Sequence, residues 1–260
     1  ITEISIKIRQ VISDVLSEYN IELKSEFDTG LLGAELHDTG STGRHTNAPK
    51  DYDFDLALRL DDAELDKATE ILEKIKMKLQ PERIEEYSKE SGHQQLRAFN
   101  CKGISNEPVD VDVGIVKKSE LAVFGSHDAV NAKLEWIREN HGEDIYEQVV
   151  ANIVLAKQIL KEGEAYKKMD HGGMGGIGVE NWILLHGGNV MEAFRTFYDA
   201  AHGDEGNVLS LEEFRERYRI MDPGVNVQKL RHDNFVHVLK NSGYMSMVKV
   251  IDKYLSLENE

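Results

Sequence analysis

The sequence predicts an α+β protein in which a small mixed β-sheet, with helices on one of its sides, precedes a helical half. Two segments, 53–60 and 109–116, alternate apolar and polar residues as half-buried strands do. The segment from Ile4 to Tyr19 repeats its apolar residues at helical spacing, and only helical patterns follow residue 120. We therefore expect two domains, residues 1–120 with the sheet and residues 121–260 with helices.

The order of the elements follows from the same patterns. In the first half we expect a helix from Ile4 to Tyr19, strands at 36–39 and 53–60, a helix from Leu65 to Leu79 that is capped by Asp61 or Asp62 and ends before Pro81, and strands at 95–100 and 109–116. In the second half we expect helices at 129–140, 145–161, 179–185, 190–201 and 211–218, and two more near the C-terminal end. Ser210 and Glu213 have the spacing of a capping box.

Composition restricts the class of protein. The 260 residues carry 47 acidic side chains against 31 Lys and Arg, a net charge of −16. Because nucleic-acid binders usually present a basic surface, we expect only modest affinity for a long RNA. The single cysteine, Cys101, excludes an internal disulfide and suits a reducing cytoplasm. No segment resembles a signal peptide or a membrane span, so we expect a cytoplasmic protein without a membrane partner.

Two aspartates share one face of the strand at 53–60. The alternation places Asp53 and Asp55 on the side opposite Phe54 and Leu56. Carboxylates this close repel each other unless a cation lies between them. Mg²⁺ is the natural candidate, with Mn²⁺ as an alternative, because it takes oxygen ligands from one or two carboxylates and from substrate phosphates.

A small-residue turn precedes this strand. Gly40 permits a close backbone approach, the Ser41 hydroxyl can donate to a phosphate oxygen, and the Arg44 guanidinium suits a triphosphate. Eleven residues separate Gly40-Ser41 from Asp53. A phosphate-binding turn beside paired carboxylates predicts a site for a metal-bound nucleotide.

This stretch resembles the signature of the polymerase-β-like nucleotidyltransferase superfamily, which is Gly-Ser, eleven residues and then Asp-x-Asp. Gly-Ser-Thr-Gly-Arg-His-Thr at 40–46 is most similar to the form found in archaeal-type (class I) CCA-adding enzymes and oligoadenylate synthetases. The resemblance implies a catalytic palm domain at 1–120, a helical central domain that binds nucleotide at 121–260, and a two-metal mechanism that releases pyrophosphate.

The superfamily adds a third aspartate from a later strand. Asp110 and Asp112 both lie on the polar face of the strand at 109–116, so either can complete the set. Asp112 is favoured because the small residue Gly114 follows two places later, as in some relatives. The predicted metal ligands are Asp53, Asp55 and Asp112, with Asp110 as the alternative catalytic carboxylate.

The helical half resembles class I CCA-adding enzymes at two further places. Lys157 and Tyr166 match a Lys-x8-Tyr pattern whose residues contact the triphosphate, and the glycine-rich segment 173–188 follows as it does in that family. A flexible lysine in a cleft would bind phosphate, whereas the alternatives are an exposed helix lysine and a packed aromatic ring. Glu180, within the second match, is expected to make a structural hydrogen bond.

A third match is the segment 222–227, which resembles the loop that closes the central domain of these enzymes. Asn226 is the predicted nucleotide contact, and Val225 stands where the family has an arginine that helps to read the incoming base. The resemblance covers the catalytic and central domains and not the tail domain that grips tRNA in that family, so we expect a minimal core enzyme.

The expected function is template-independent addition of NMP, from ATP and/or CTP, to an RNA 3′ end such as that of tRNA. The alternatives are a synthase of oligonucleotide or cyclic-nucleotide second messengers, transfer of NMP to a protein or small molecule, and an inactive scaffold. Oligomeric state has no signal in the sequence.

Overall fold

The computed structural model describes residues 2–24, 34–38, 40–42, 46, 53–88, 94–118, 125–166, 172–221 and 235–257. The chain forms two compact units, Ile1–Phe124 and Gly125–Glu260. Each unit has its own hydrophobic core. Among the described residues, none of the helices combines the length and the apolar composition that a membrane crossing requires.

The first unit is a five-stranded mixed sheet with helices. Its elements are α1 (Thr2–Ser17), β1 (Glu35–Asp38), β2 (Asp53–Leu60), a 3₁₀ helix (Asp62–Lys67), α2 (Ala68–Leu79), β3 (Pro81–Ser88), β4 (Gln94–Cys101) and β5 (Asp110–Lys117). The strand order is β1-β2-β5-β4-β3. The β2–β5 pair is parallel, whereas the other three pairs are antiparallel.

One face of this sheet is apolar and the other is polar. The alternation that the sequence shows in β2 places Phe54, Leu56, Leu58 and Leu60 in the core. The same core contains apolar residues of α1 and α2, such as Ile12 and Ile75. Both helices pack on the apolar face, and the aspartates of β2 and β5 lie on the opposite, polar face. The expected α+β class is thereby confirmed.

One expectation for this unit is wrong, and one strand was not predicted. The helix α2 ends before Pro81, as expected, but Pro81 also begins β3, an unpredicted edge strand that pairs with β4. The helix cap at Asp61 is absent, since Asp61 precedes a 3₁₀ helix and its side chain makes no capping hydrogen bond. In contrast, the side chain of Ser210 and that of Glu213 form the expected capping box in the second unit.

The second unit is helical. It contains α3 (Gly125–His141), α4 (Glu143–Glu162), α5 (Gly176–Leu185), α6 (Val190–Ala201), α7 (Leu211–Arg217), a 3₁₀ helix (Phe235–Val238) and α8 (Asn241–Leu257). Trp182 lies at its centre, stacks on Phe194 and donates a hydrogen bond of 2.6 Å from Nε1 to the Tyr218 hydroxyl. Burial raises the pKa of Tyr218 to about 12. Of the two expected C-terminal helices, the first is a single 3₁₀ turn.

The lone thiol is structural. Cys101 is buried at the end of β4. Burial, with a smaller effect of the nearby Asp110 charge, raises the pKa of this thiol to about 12. Because the thiolate is the reactive form, Cys101 is inert at neutral pH.

Candidate nucleotidyl-transfer site

The parallel pairing of β2 with β5 places four aspartates in two neighbouring rows. Asp53 is opposite Asp110, and Asp55 is opposite Asp112. Residues that are paired in this register project from the same face of the sheet. Asp53 is exposed, Asp55 and Asp110 are half-buried, and Asp112 is largely buried. The acidic strand faces that the sequence predicts separately therefore form one acidic array.

The Gly-Ser turn lies against this array. The Thr42 hydroxyl donates a hydrogen bond of 2.5 Å to the backbone carbonyl of Asp53, and the backbone amide of Thr46 donates one of 2.8 Å to the carbonyl of Ser41. A Cβ atom built on Gly40 would lie 2.3 Å from Oδ2 of Asp55. Only glycine fits at this position without moving the carboxylate, so the spacing between turn and strand brings Gly40 onto Asp55.

Asp112 is held by two side chains of β4. Gln95 Nε2 lies 2.7 Å and 2.8 Å from the two carboxylate oxygens of Asp112. Arg97 donates a hydrogen bond of 2.8 Å from Nε to Oδ2 of the same carboxylate. Because Arg97 is the cross-strand neighbour of Asp112, this ion pair follows directly from the register of β4 and β5.

Asp110 has a different environment. Its Oδ1 accepts a hydrogen bond of 2.9 Å from the backbone amide of Asn100, which has a left-handed backbone with φ of 53°. This contact comes from the main chain and carries no positive charge. The two candidates for the third ligand thus differ: Asp112 is ion-paired, and Asp110 is fixed by one backbone donor.

The donors of the array are all oxygen atoms, which is the ligand chemistry of Mg²⁺ and Mn²⁺. However, within the described ranges no group of three or more His, Cys, Asp or Glu side chains is arranged to hold a metal ion. Asp53, Asp55 and Asp112 share a face without forming a finished metal site. Both carboxylate oxygens of Asp112 accept hydrogen bonds from side chains of β4.

In the second unit, Lys157 is buried instead of exposed. Only 1% of its side chain and none of that of Glu180 is accessible to solvent, and its Nζ lies 2.6 Å from Oε1 of Glu180. The sequence predicted a flexible ammonium group for Lys157 and a structural hydrogen bond for Glu180. The structure joins the two residues in one internal ion pair between α4 and α5.

Tyr166 lies close to this pair. A Cβ atom built on Gly176, the first residue of α5, would lie 2.8 Å from the Tyr166 hydroxyl and 3.8 Å from Nζ of Lys157. The Lys161 ammonium lies 5.1 Å from the centroid of the Tyr166 ring. The matched lysine, tyrosine and glycine segments are therefore neighbours in the fold, around the start of α5.

Two predicted contacts lie outside the described residues. These are Arg44 in the first unit and Asn226, with the whole segment 222–227, in the second. Their assignment to nucleotide binding stays a prediction.

Sequence reasoning did not identify Gln95 and Arg97. A signal was present, because both alternate with Leu96 and Ala98 and therefore lie on the polar face of β4. What the sequence did not contain was the order of the strands. Only the placement of β5 between β2 and β4 brings Gln95 and Arg97 to Asp112.

The fold of the chain is shared by solved structures of a poly(U) polymerase and a terminal uridylyl transferase. The chain is similar to the Cid1 poly(U) polymerase bound to Mg and 3′-dATP, with a TM-score of 0.63 and 13% identity over 100% of this chain and 89% of that chain. A structure of Cid1 that addresses its RNA terminal uridylyl transferase activity gives a TM-score of 0.60 and 12% identity, over 100% of this chain and 89% of that one.

A second protein with this fold is terminal uridylyl transferase 4 from Trypanosoma brucei with bound UPU. Its TM-score is 0.54 at 11% identity, and the match covers 97% of this chain and 92% of that chain. No family model matches the sequence, and no curated protein matches it. Likeness at this identity establishes the fold, whereas function has to be argued from the site.

Proposed function

We propose that this protein is a template-independent, metal-dependent nucleotidyltransferase that adds NMP from an NTP to the 3′ end of an RNA. The observation that carries the proposal is the acidic array, in which Asp53 and Asp55 lie in register with Asp110 and Asp112 beside the Gly40 turn. Carboxylates gathered on one face repel one another, and a divalent cation bound among them relieves that repulsion.

The proposed reaction needs few groups from the protein. The RNA 3′ hydroxyl would give its proton to a carboxylate of the array, and its oxygen would form a bond to the α-phosphorus. The bond between that phosphorus and the oxygen bridging to the β-phosphate would break, so that pyrophosphate leaves. Two Mg²⁺ or Mn²⁺ ions would lower the pKa of the attacking hydroxyl and neutralise the triphosphate. Asp53, Asp55 and one aspartate of β5 would hold them, and Ser41 with its neighbouring amides would bind phosphate oxygens.

The acceptor and the base are a finer proposal. The sequence matches around Lys157, Tyr166 and Asn226 favour a class I CCA-adding-like enzyme that uses ATP or CTP on tRNA. The proteins with the same fold are a poly(U) polymerase and a terminal uridylyl transferase. UTP is therefore a further candidate substrate. We infer an RNA 3′ end as the acceptor class and tRNA as its first candidate.

The test is an incorporation assay with each of the four labelled NTPs and Mg²⁺. The protein is incubated with tRNA that lacks its 3′ end, with an unstructured oligoribonucleotide, or without RNA, and products are separated on a denaturing gel and a thin-layer plate. Asp53→Asn is the inactive control, and Asp62→Asn, in the exposed 3₁₀ helix of the same unit, is the matched control.

Label in RNA that depends on Asp53 supports the proposal, and the NTP that is used identifies the base. Label only in small products made without RNA supports a second-messenger synthase instead. Label on the protein or on an added small molecule indicates NMP transfer to that acceptor. Incorporation that is equal in wild type and Asp53→Asn refutes the assigned site.

A further inference from the structure

The carboxylate of Asp112 is directed towards β4. Both oxygens lie within 2.8 Å of the Gln95 amide nitrogen, and Oδ2 also accepts a hydrogen bond from Arg97. A single nitrogen can approach both oxygens only if it lies in front of the open end of the carboxylate. That end of the Asp112 carboxylate is therefore occupied by the Gln95 amide.

The negative charge of Asp112 is balanced by the guanidinium of Arg97, which also lies on β4. The Arg97 side chain is 44% exposed and that of Asp112 is 12% exposed, so the pair lies at the rim of the acidic array. A divalent cation that binds Oδ2 of Asp112 has to compete with the guanidinium for that oxygen, and one that binds Oδ1 has to compete with the Gln95 amide. Two cations close together on one carboxylate repel each other, so metal binding and the Arg97 contact oppose one another.

We propose that Gln95 and Arg97 are positioning residues that hold Asp112 off the metal site, and that a divalent cation binds Asp112 only by displacing them. The inference rests on the proposed function, because it takes Asp112 as a metal ligand. Gln95 and Arg97 thereby raise the concentration of metal that the protein needs.

The test measures Mn²⁺ binding to the whole chain without nucleotide, from the electron paramagnetic resonance signal of the free ion. Gln95→Leu removes two contacts to Asp112 without changing the net charge. Arg97→Met removes the ion pair, and Arg83→Met is its matched control. Arg83 lies on β3 of the same sheet, where it contacts Glu85 and Phe99 rather than Asp112. Thermal unfolding confirms that each variant is folded.

We expect Gln95→Leu to bind Mn²⁺ about tenfold more tightly than wild type, which corresponds to roughly 1.5 kcal/mol, the lower end of the range for a hydrogen bond to a charged group. The Mn²⁺ affinity of Arg97→Met should exceed that of Arg83→Met by about the same factor, and the affinity of Arg83→Met should stay close to that of wild type. If Gln95→Leu and Arg97→Met bind the ion no more tightly than Arg83→Met, or bind it more weakly, the inference is overturned.

Two further variants separate this outcome from failure of the proposed function. Asp53→Asn should lose Mn²⁺ affinity if the array is the metal site at all, and Asp112→Asn should lose it if Asp112 is a ligand. If Asp53→Asn binds as wild type does, the metal site and the proposed function both fail. If Asp53→Asn weakens binding but Asp112→Asn does not, only the role of Asp112 and its two partners is refuted.

Discussion

Replacement of Lys157 by Met tests the buried ion pair of the second unit. The substitution leaves the Glu180 carboxylate in the interior without its ammonium partner, which lies 2.6 Å away in the native protein. Both side chains are essentially inaccessible to solvent, so the remaining charge cannot be hydrated in place. Breaking such a pair from one side costs about 3–5 kcal/mol. That is a large part of the ~5–15 kcal/mol by which domains are stable.

The double variant Lys157→Met/Glu180→Leu removes both charges. Because a buried pair repays little more than the cost of its own desolvation, we expect the double variant to lie within about 1 kcal/mol of wild type. The single and double changes are therefore strongly non-additive. Lys161→Met is the matched control, one helical turn further along α4. That lysine is exposed and interacts with the Tyr166 ring, a contact worth at most about 1 kcal/mol.

Urea unfolding of Lys157→Met, Glu180→Leu, the double variant and Lys161→Met measures these free energies. The reasoning is refuted if Lys157→Met is no more destabilising than Lys161→Met, or if the two single penalties simply add in the double variant. The same double variant also tests the triphosphate contact that the sequence resemblance implies for Lys157. A raised KM for the NTP in a folded double variant would assign that contact, and an unchanged KM would leave the pair a structural role.

Three other predictions concern the array and the core. Asp53→Asn should lower turnover by orders of magnitude in the incorporation assay without loss of the folded state, and a folded variant with full turnover would contradict the assignment. Gly40→Ala should also lose activity, because its Cβ atom would overlap the Asp55 carboxylate, whereas Gly114→Ala has 3.9 Å to its nearest neighbour and should stay active; equal activity of the two would exclude the contact. The raised pKa of Tyr218, about 12, disfavours ionisation in the folded state, so its contribution to stability is complete below pH 10 and is lost as the pH rises towards 12. Urea unfolding at pH 9 and pH 11 should show this loss, and Tyr218→Phe should reduce it.

The sequence predicted the strands of the acidic array because their buried faces are uniformly apolar. β2 and β5 both alternate, and each places its aspartates opposite a row of Leu or Val residues. Strand β3 escaped prediction for the opposite reason. It lies at the edge of the sheet, and Glu82, Arg83 and Ile84 are all exposed, so no apolar alternation marks it. Edge position removes the pattern on which prediction of a strand depends.

The sequence also contained a sign of the Lys157–Glu180 pair, namely charged residues on helix faces that are otherwise apolar. Lys157 falls one turn after Ile153 and three residues before Leu160, both of which are buried, so it lies on the inner face of α4. Glu180 is the single ionisable residue of α5, a helix that is otherwise apolar or small except for Asn181. A charge on a buried face requires a partner, but the sequence alone could not say which helix supplies it.

The contacts of Asp112 in the folded protein differ from those that the sequence motif predicts for it. An Asp-x-Asp pair and a third aspartate, read along the chain, describe a metal site that is complete once the strands are aligned. In the folded protein the strand that completes the sheet, β4, brings an arginine and a glutamine to the third aspartate. Gln95 and Arg97 donate hydrogen bonds to the Asp112 carboxylate when no metal is bound. The sheet can therefore assemble with its carboxylates side by side, because the charge of Asp112 is compensated. These contacts favour folding of the metal-free chain, but a metal ion that binds Asp112 has to break them. They therefore stabilise the metal-free chain and at the same time lower its affinity for metal.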